Sequence, residues 1–256
     1  MMKNIYREHL NTYFETITDF KHATNRLNKV LLNDVEKYKS ENSIYSSGTA
    51  LIIGDWTGIT DNGWKLPFHT GIDKFTEKEG YPNEINNLLS REFSLAYSQC
   101  YEALETFLKD CIDLKILNDL EYRELIKFNE NYSRKDLKGG DFLYKLIKKA
   151  GGKRLIEYSK KNNNNFKFKE MFTILSEVRH SITHTKGYLE VSKIPNDKYY
   201  KSLFEFLFPK NKLEGEMILI QFDHKLLNKI LVYIAEFGFQ IYKILSEEDD
   251  YDWKIE

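Results

Sequence analysis

Residues 84–114, EINNLLSREFSLAYSQCYEALETFLKDCIDL, decide the fold. Apolar side chains recur at Ile85, Leu88, Leu89, Phe93, Ala96, Cys100, Leu104, Phe107, Cys111 and Leu114. This spacing is the stripe of an amphipathic helix, and it continues without a break for more than about thirty residues. Pro82-Asn83 just before it suits a helix start. Cys100 and Cys111 then lie about three turns apart, ~16 Å along one axis, too far for a disulfide.

Outward from this helix, the chain alternates helical periodicity with short breaks. Residues 5 to about 38 carry a helical pattern beginning at Tyr6, Leu10 and Tyr13. The stretch TALIIGDWTGITDNGWKLPFHTGI is β-branched and aromatic, and Asn62-Gly63 supplies the positive φ angles of a tight turn. It predicts a β-hairpin near residues 49–70. After the long helix come a helical piece over about 118–130, a short helix opened by Asp141, and a second one beyond Gly151-Gly152. A further helix covers about 166–186, with Gly187 as its C-cap. Residues 188–222 read as irregular apart from MILIQF, a strand candidate, and Asp223 caps a last helix over 224–245. That helix is apolar on more than one side, so more than one neighbour, such as another subunit, is expected to cover it. The tail 247–256 is acidic and is expected to fray.

The chain has 256 residues and is 41 % hydrophobic, enough for one large domain or for a domain with a sizeable extension. Its formal charge of −1 marks it as neither a uniformly basic nucleic-acid binder nor an acidic tail. No run of apolar residues is long enough to span a bilayer or to serve as a signal-peptide core. A soluble, reduced, cytoplasmic protein with no membrane partner is the expectation.

The chemistry concentrates in SEVRHSITHTKG, residues 176–187. On a helical wheel with Phe168 at zero, Arg179 falls at about 20°, beside the apolar stripe, and His184 near about 160°. A guanidinium cannot shed its proton, so its burial demands a carboxylate, a solvated cleft or an anionic ligand. Arg179 and His184 do not share a face. They meet only if the helix loosens or if two copies pack about a two-fold axis, the commonest symmetry of soluble oligomers.

Arg179-His180-Ser181-Ile182-Thr183-His184 resembles the Arg-x4–6-His motif of the HEPN superfamily, in which a polar residue commonly follows the Arg. The resemblance covers residues 83–246 and implies an antiparallel helical bundle interrupted by an insertion at about 188–222. Residues 1–82, a helix and a hairpin, would then be an extension. Many such domains are metal-independent endoribonucleases of toxin–antitoxin, abortive-infection or antiviral systems. The resemblance therefore implies a homodimer with an RNA substrate, an antitoxin or defence-system partner, and no cofactor or metal. His184 would be the acid–base residue, with His180 beside it, and Arg179 the phosphate clamp. Glu177, Ser181 and Thr183 would orient or polarise. Glu105, which borders the stripe of the long helix, would face Arg179 as a salt-bridge partner or tune the site.

The same residues carry other readings. Arg179 can be a structural ion-pair partner, with the histidines decorating a helix end. His180 and His184 are an i, i+4 pair able to ligate zinc, with Glu177 one turn earlier and a third ligand such as His224. A module that binds RNA, a nucleotide or a protein without catalysis, or a bare helical scaffold, also fits. Between Arg134 and Glu170 twelve Lys/Arg face four Asp/Glu. Lys148, Lys149, Lys153 and Arg154 surround the Gly-Gly break, and nearby aromatics interleave with them. They are the expected RNA-binding surface, because cations track phosphates and aromatic rings stack on unpaired bases.

Overall fold

The computed structural model describes residues 3–59, 63, 65–128, 132–209 and 211–255. The chain is mainly helical, 64 % helix, with eight α-helices and two small antiparallel sheets among the described residues. In order these are α1 (Arg7–Lys37), β1 (Ser46–Ile59), β2 (Lys65–Glu77), α2 (Tyr81–Asn118), α3 (Leu120–Ile126), α4 (Gly140–Ala150), α5 (Gly152–Lys160), α6 (Phe168–Thr185), β3 (Tyr188–Glu190), α7 (Lys198–Leu207), β4 (Asn211–Glu214), β5 (Met217–Ile220) and α8 (His224–Glu248). No described helix is long and apolar enough to cross a membrane.

The chain divides into two compact units: one comprises the chain up to Asn25 and from Ser90 onward, the other is Arg26–Leu89. In the smaller unit β1 and β2 pair antiparallel, with Ser46 opposite Glu77 and Ile53 opposite Phe68. The hairpin therefore extends beyond the predicted 49–70. Of its expected turn, Asn62 lies outside the described residues, and Gly63 has a φ of 77°. At the base of the hairpin Tyr45 stacks on Tyr81 at 3.8 Å between centroids, and the Tyr81 hydroxyl bonds the Asp34 carboxylate.

In the larger unit α2 is buried on more than the predicted stripe. Tyr97, Tyr101, Leu108 and Ile112 form a second buried arc beside Phe93, Cys100, Leu104 and Phe107. A helix covered on two sides needs neighbours on both. Tyr101 lies against Phe172 of α6 at 6.0 Å, and Phe107 stacks on Tyr13 of α1 at 5.1 Å and 10°. Tyr97 donates to the Leu175 carbonyl of α6 at 2.7 Å. Cys100 and Cys111 are both free and buried, and burial pushes the Cys100 thiol up to about 12.

The second apolar side of α8 is covered from within the chain. Phe237 packs on Phe168 and Phe172 of α6, and Tyr233 packs on Phe166 and Phe206. More than one neighbour therefore covers α8: α6, Phe166 just before it, and α7 pack on this side from within the chain. The acidic tail, expected to fray, makes contacts with Tyr6, α2 and α8. Asp249 takes the Tyr6 hydroxyl and the buried Lys115 ammonium, and Trp253 lies edge-on to Phe239 at 6.2 Å. A buried ammonium requires a carboxylate, and the tail carries it. In segment 188–222, β3, β5 and β4 form a three-stranded antiparallel sheet in that order, with MILI as its central strand.

Gly238 of α8 meets Tyr13 so closely that an added Cβ would stand 2.5 Å from the ring. The ring cannot withdraw freely, because its hydroxyl donates to the Ile234 carbonyl at 2.7 Å and its face lies on Phe107. Gly→Ala in a helix gains ~1 kcal/mol of propensity, whereas overpacking costs ~1–3 kcal/mol and more in a rigid core. Gly238→Ala is expected to lower stability by ~1–2 kcal/mol in urea denaturation. Unchanged or raised stability would mean that the α1–α8 contact is looser than described.

Candidate functional site at the end of α6

Helix α6 stops at Thr185 because Lys186 and Gly187 both turn to positive φ, 55° and 88°. The Gly187 N–H returns to the Ser181 carbonyl at 3.0 Å, a Schellman-type stop that a glycine favours. The Gly187 carbonyl then accepts the Ile220 N–H at 3.0 Å, which fastens the end of the motif to β5.

Arg179 and the histidines leave α6 in different directions. The Arg179 guanidinium is half-buried and forms an ion pair with Glu102 of α2. Its Nε is buried without a hydrogen-bond partner. His180 and His184 are exposed and stand together one turn apart, their ring centroids 4.4 Å apart and their planes at 44°. The wheel separation of Arg179 from His184 therefore persists in the folded chain. Four cavities among the described residues lie elsewhere, with no residue of 176–187 in their walls.

The supporting residues are placed differently from expectation. Glu105 does not meet Arg179. It is buried, and its Oε1 accepts the Gly140 N–H at 2.9 Å, at the first turn of α4. The cap of that helix is thus a carboxylate from α2 and not Asp141, which sits in its first turn. The approach requires Gly139, whose Cβ would fall 2.3 Å from Glu105 Oε1. Ser181 is buried and donates to the Val178 carbonyl at 2.8 Å, and Thr183 donates to the Arg179 carbonyl at 3.1 Å. Both hydroxyl protons are taken by the helix itself. Glu177 is half-buried, and no hydrogen bond or ion pair joins it to either imidazole among the described residues. Glu102 and Glu105 both stand out in YEALETFL, residues 101–108, and the sequence reading favours Glu105 because it borders the apolar stripe; the residue that meets Arg179 is Glu102, one turn earlier.

Among the described residues no three His, Cys, Asp or Glu side chains gather as a metal-ligand set. His224, the suggested third zinc ligand, bonds Asn25 at 2.6 Å and lies tilted against Phe93, 5.9 Å between centroids. Of the four cations around Gly151-Gly152, Lys148, Lys149 and Lys153 are exposed. Arg154 pairs with Glu247 at 3.1 Å and Glu248 at 2.9 Å of α8. Comparison with protein-family models, curated proteins and solved structures gives no match to the chain.

The two glutamates of α2 have separable energetic roles. Removing the Glu105 carboxylate strips a buried cap from α4, a loss of ~1–2 kcal/mol. Glu102 is 38 % exposed, so its ion pair contributes ~0–1 kcal/mol. Urea denaturation of Glu105→Ala and Glu102→Ala is expected to rank them in that order, and a larger loss in Glu102→Ala would reverse the assignment.

Proposed function

We propose that the chain is a HEPN-like endoribonuclease that cleaves RNA without a metal ion, in a composite site formed across a homodimer. In this reading it acts as a toxin or antiviral defence effector, with an antitoxin or defence-system partner. Residues 83–246 would be the catalytic bundle, with 188–222 inserted in it and 1–82 an extension. The observation that carries the reading is the exposed His180–His184 pair on the last turns of α6, one residue from an Arg whose Nε lacks an acceptor.

RNA brings its own nucleophile, the 2′-hydroxyl. Cleavage needs a base for that proton, an acid for the departing 5′-oxygen, and donors for the charge that grows on the phosphoryl oxygens. Imidazole exchanges protons near neutral pH, and two of them within 4.4 Å can serve both ends of one displacement. A guanidinium offers phosphate a fixed fork of donors. The products would be a 2′,3′-cyclic phosphate and a 5′-hydroxyl. Because Arg179 and His184 occupy different faces of α6, one protomer presents them apart. Two antiparallel copies of α6 about a two-fold axis would bring the Arg of one toward the His of the other. Lys148, Lys149 and Lys153 are the exposed cations left to follow the RNA backbone.

A second reading is favoured by the ion pair of Arg179 with Glu102, which occupies the guanidinium within the chain. In it the fold is a non-catalytic module that binds RNA, a nucleotide or a protein.

The test is cleavage of single-stranded RNA with EDTA present. His184→Ala and Arg179→Ala are each expected to lose at least about a hundredfold in rate, and His180→Ala a smaller amount, the scale of lost acid–base and charge stabilisation. Equal rates in wild type and variants, or no cleavage by wild type in either a monomeric or a dimeric fraction, would leave the second reading.

A further inference from the structure

The cations of segment 134–170 do not spread evenly over the surface. A cavity of about 740 Å³ opens where α4, the end of α5, the start of α6 and the start of α7 converge. Lys145 and Lys148 line it from α4, Lys160 from α5, and Lys167 and Lys169 from the start of α6. Only two carboxylates, Asp141 and Glu170, share the wall. Among the described residues none of the five ammonium groups has a carboxylate within ion-pair distance, in contrast to Arg134, Arg154, Arg179 and Lys115. Five like charges around one hollow repel one another, and a bound polyanion relieves that repulsion.

A further feature suits a nucleotide. The start of α6 lies at this wall with its Phe168 N–H taken by Ser159 Oγ at 2.9 Å, so the lysine ammoniums are the donors offered to phosphate. Lys167 Nζ lies over the Tyr199 ring, 4.3 Å from its centroid, and the ring is held by its hydroxyl, which accepts the Lys167 N–H at 2.7 Å and donates to the Asn165 carbonyl at 2.8 Å. A ring so fixed is a platform on which a base can stack when the flexible Lys167 stem swings its ammonium to a phosphate.

We propose that this cleft is a binding site for a nucleoside polyphosphate, its phosphates among Lys145, Lys160, Lys167 and Lys169 and its base against Tyr199. The volume is that of a small-ligand site rather than of an open groove that tracks a strand. The surplus of five ammoniums over two carboxylates matches the charge of a di- or triphosphate and exceeds what one carboxylate ligand needs. None of its lining residues belongs to 176–187, so the site stands whether or not that motif cleaves RNA.

The probe is a fluorescent ATP analogue titrated into the full chain, with inorganic tripolyphosphate and a short single-stranded RNA as competitors. Wild type is expected to bind the analogue, tripolyphosphate to displace it, and rising salt to weaken it. The combined Lys145→Glu, Lys160→Glu and Lys167→Glu variant is expected to bind at least about tenfold more weakly, with its melting curve showing that it folds. The milder double variant Lys145→Gln with Lys160→Gln is expected to lose severalfold, and Lys193→Glu, outside the cleft, to bind as wild type. Absence of binding in wild type, unchanged affinity in both cleft variants, or an RNA interaction that depends on these lysines while neither nucleotide nor tripolyphosphate binds would each overturn the proposal.

Discussion

A helix buried on two sides cannot leave a charge unanswered, and α2 is such a helix. Its two arcs, Phe93–Cys100–Leu104–Phe107 and Tyr97–Tyr101–Leu108–Ile112, are closed by α1, α6 and other elements of the larger unit. Three charged groups beside those arcs are matched by other residues of the larger unit. Glu102 takes Arg179 of α6, Glu105 takes the first N–H of α4, and Lys115 takes Asp119 and the tail carboxylate Asp249. The pairings of the buried Glu105 and Lys115 fix α4 and the tail against α2, because an unpartnered buried charge is far more costly than a lost methyl contact, whereas the half-exposed Glu102–Arg179 pair adds little stability.

The same constraint shapes the end of α6. Arg179 sits where the apolar stripe meets the half-buried flank, so it turns toward α2 and its carboxylate. His180 and His184 lie farther round the helix and remain in solvent, in contact with each other. The helix ends immediately afterwards, because Gly187 adopts a left-handed conformation and hands the chain to the β3–β5–β4 sheet. The imidazoles are thus held on a rigid, capped helix rather than on a loop, the condition under which a pair of proton-transfer groups keeps a defined separation.

Charge in the basic segment is divided by the fold into two populations. Arg154 is spent on α8, and Arg134 pairs with Asp110 of α2. Among the described residues the lysines of this segment form no ion pair, and five of them surround one hollow. Arginine suits the structural role, since its planar fork holds two carboxylates at fixed geometry, while lysine keeps a mobile point charge on a flexible stem.

The sequence alone determined the mainly helical class, the long central helix, the Asp223 cap of α8 and the strand at Met217–Ile220, since each rests on local periodicity or a local cap. It also located Arg179 beside the stripe and so required a compensating partner. It could not choose Glu102 over Glu105, because both lie on one helix and the choice depends on which arc faces α6 and which faces the Gly139–Gly140 entry to α4. Nor could it show that Arg154 is neutralised by residues ninety positions away, that α6 and α7 cover the second side of α8, or that the acidic tail is held by Tyr6 and Lys115. Those outcomes are set by contacts between distant segments, whose energies depend on three-dimensional approach and leave no mark on sequence spacing.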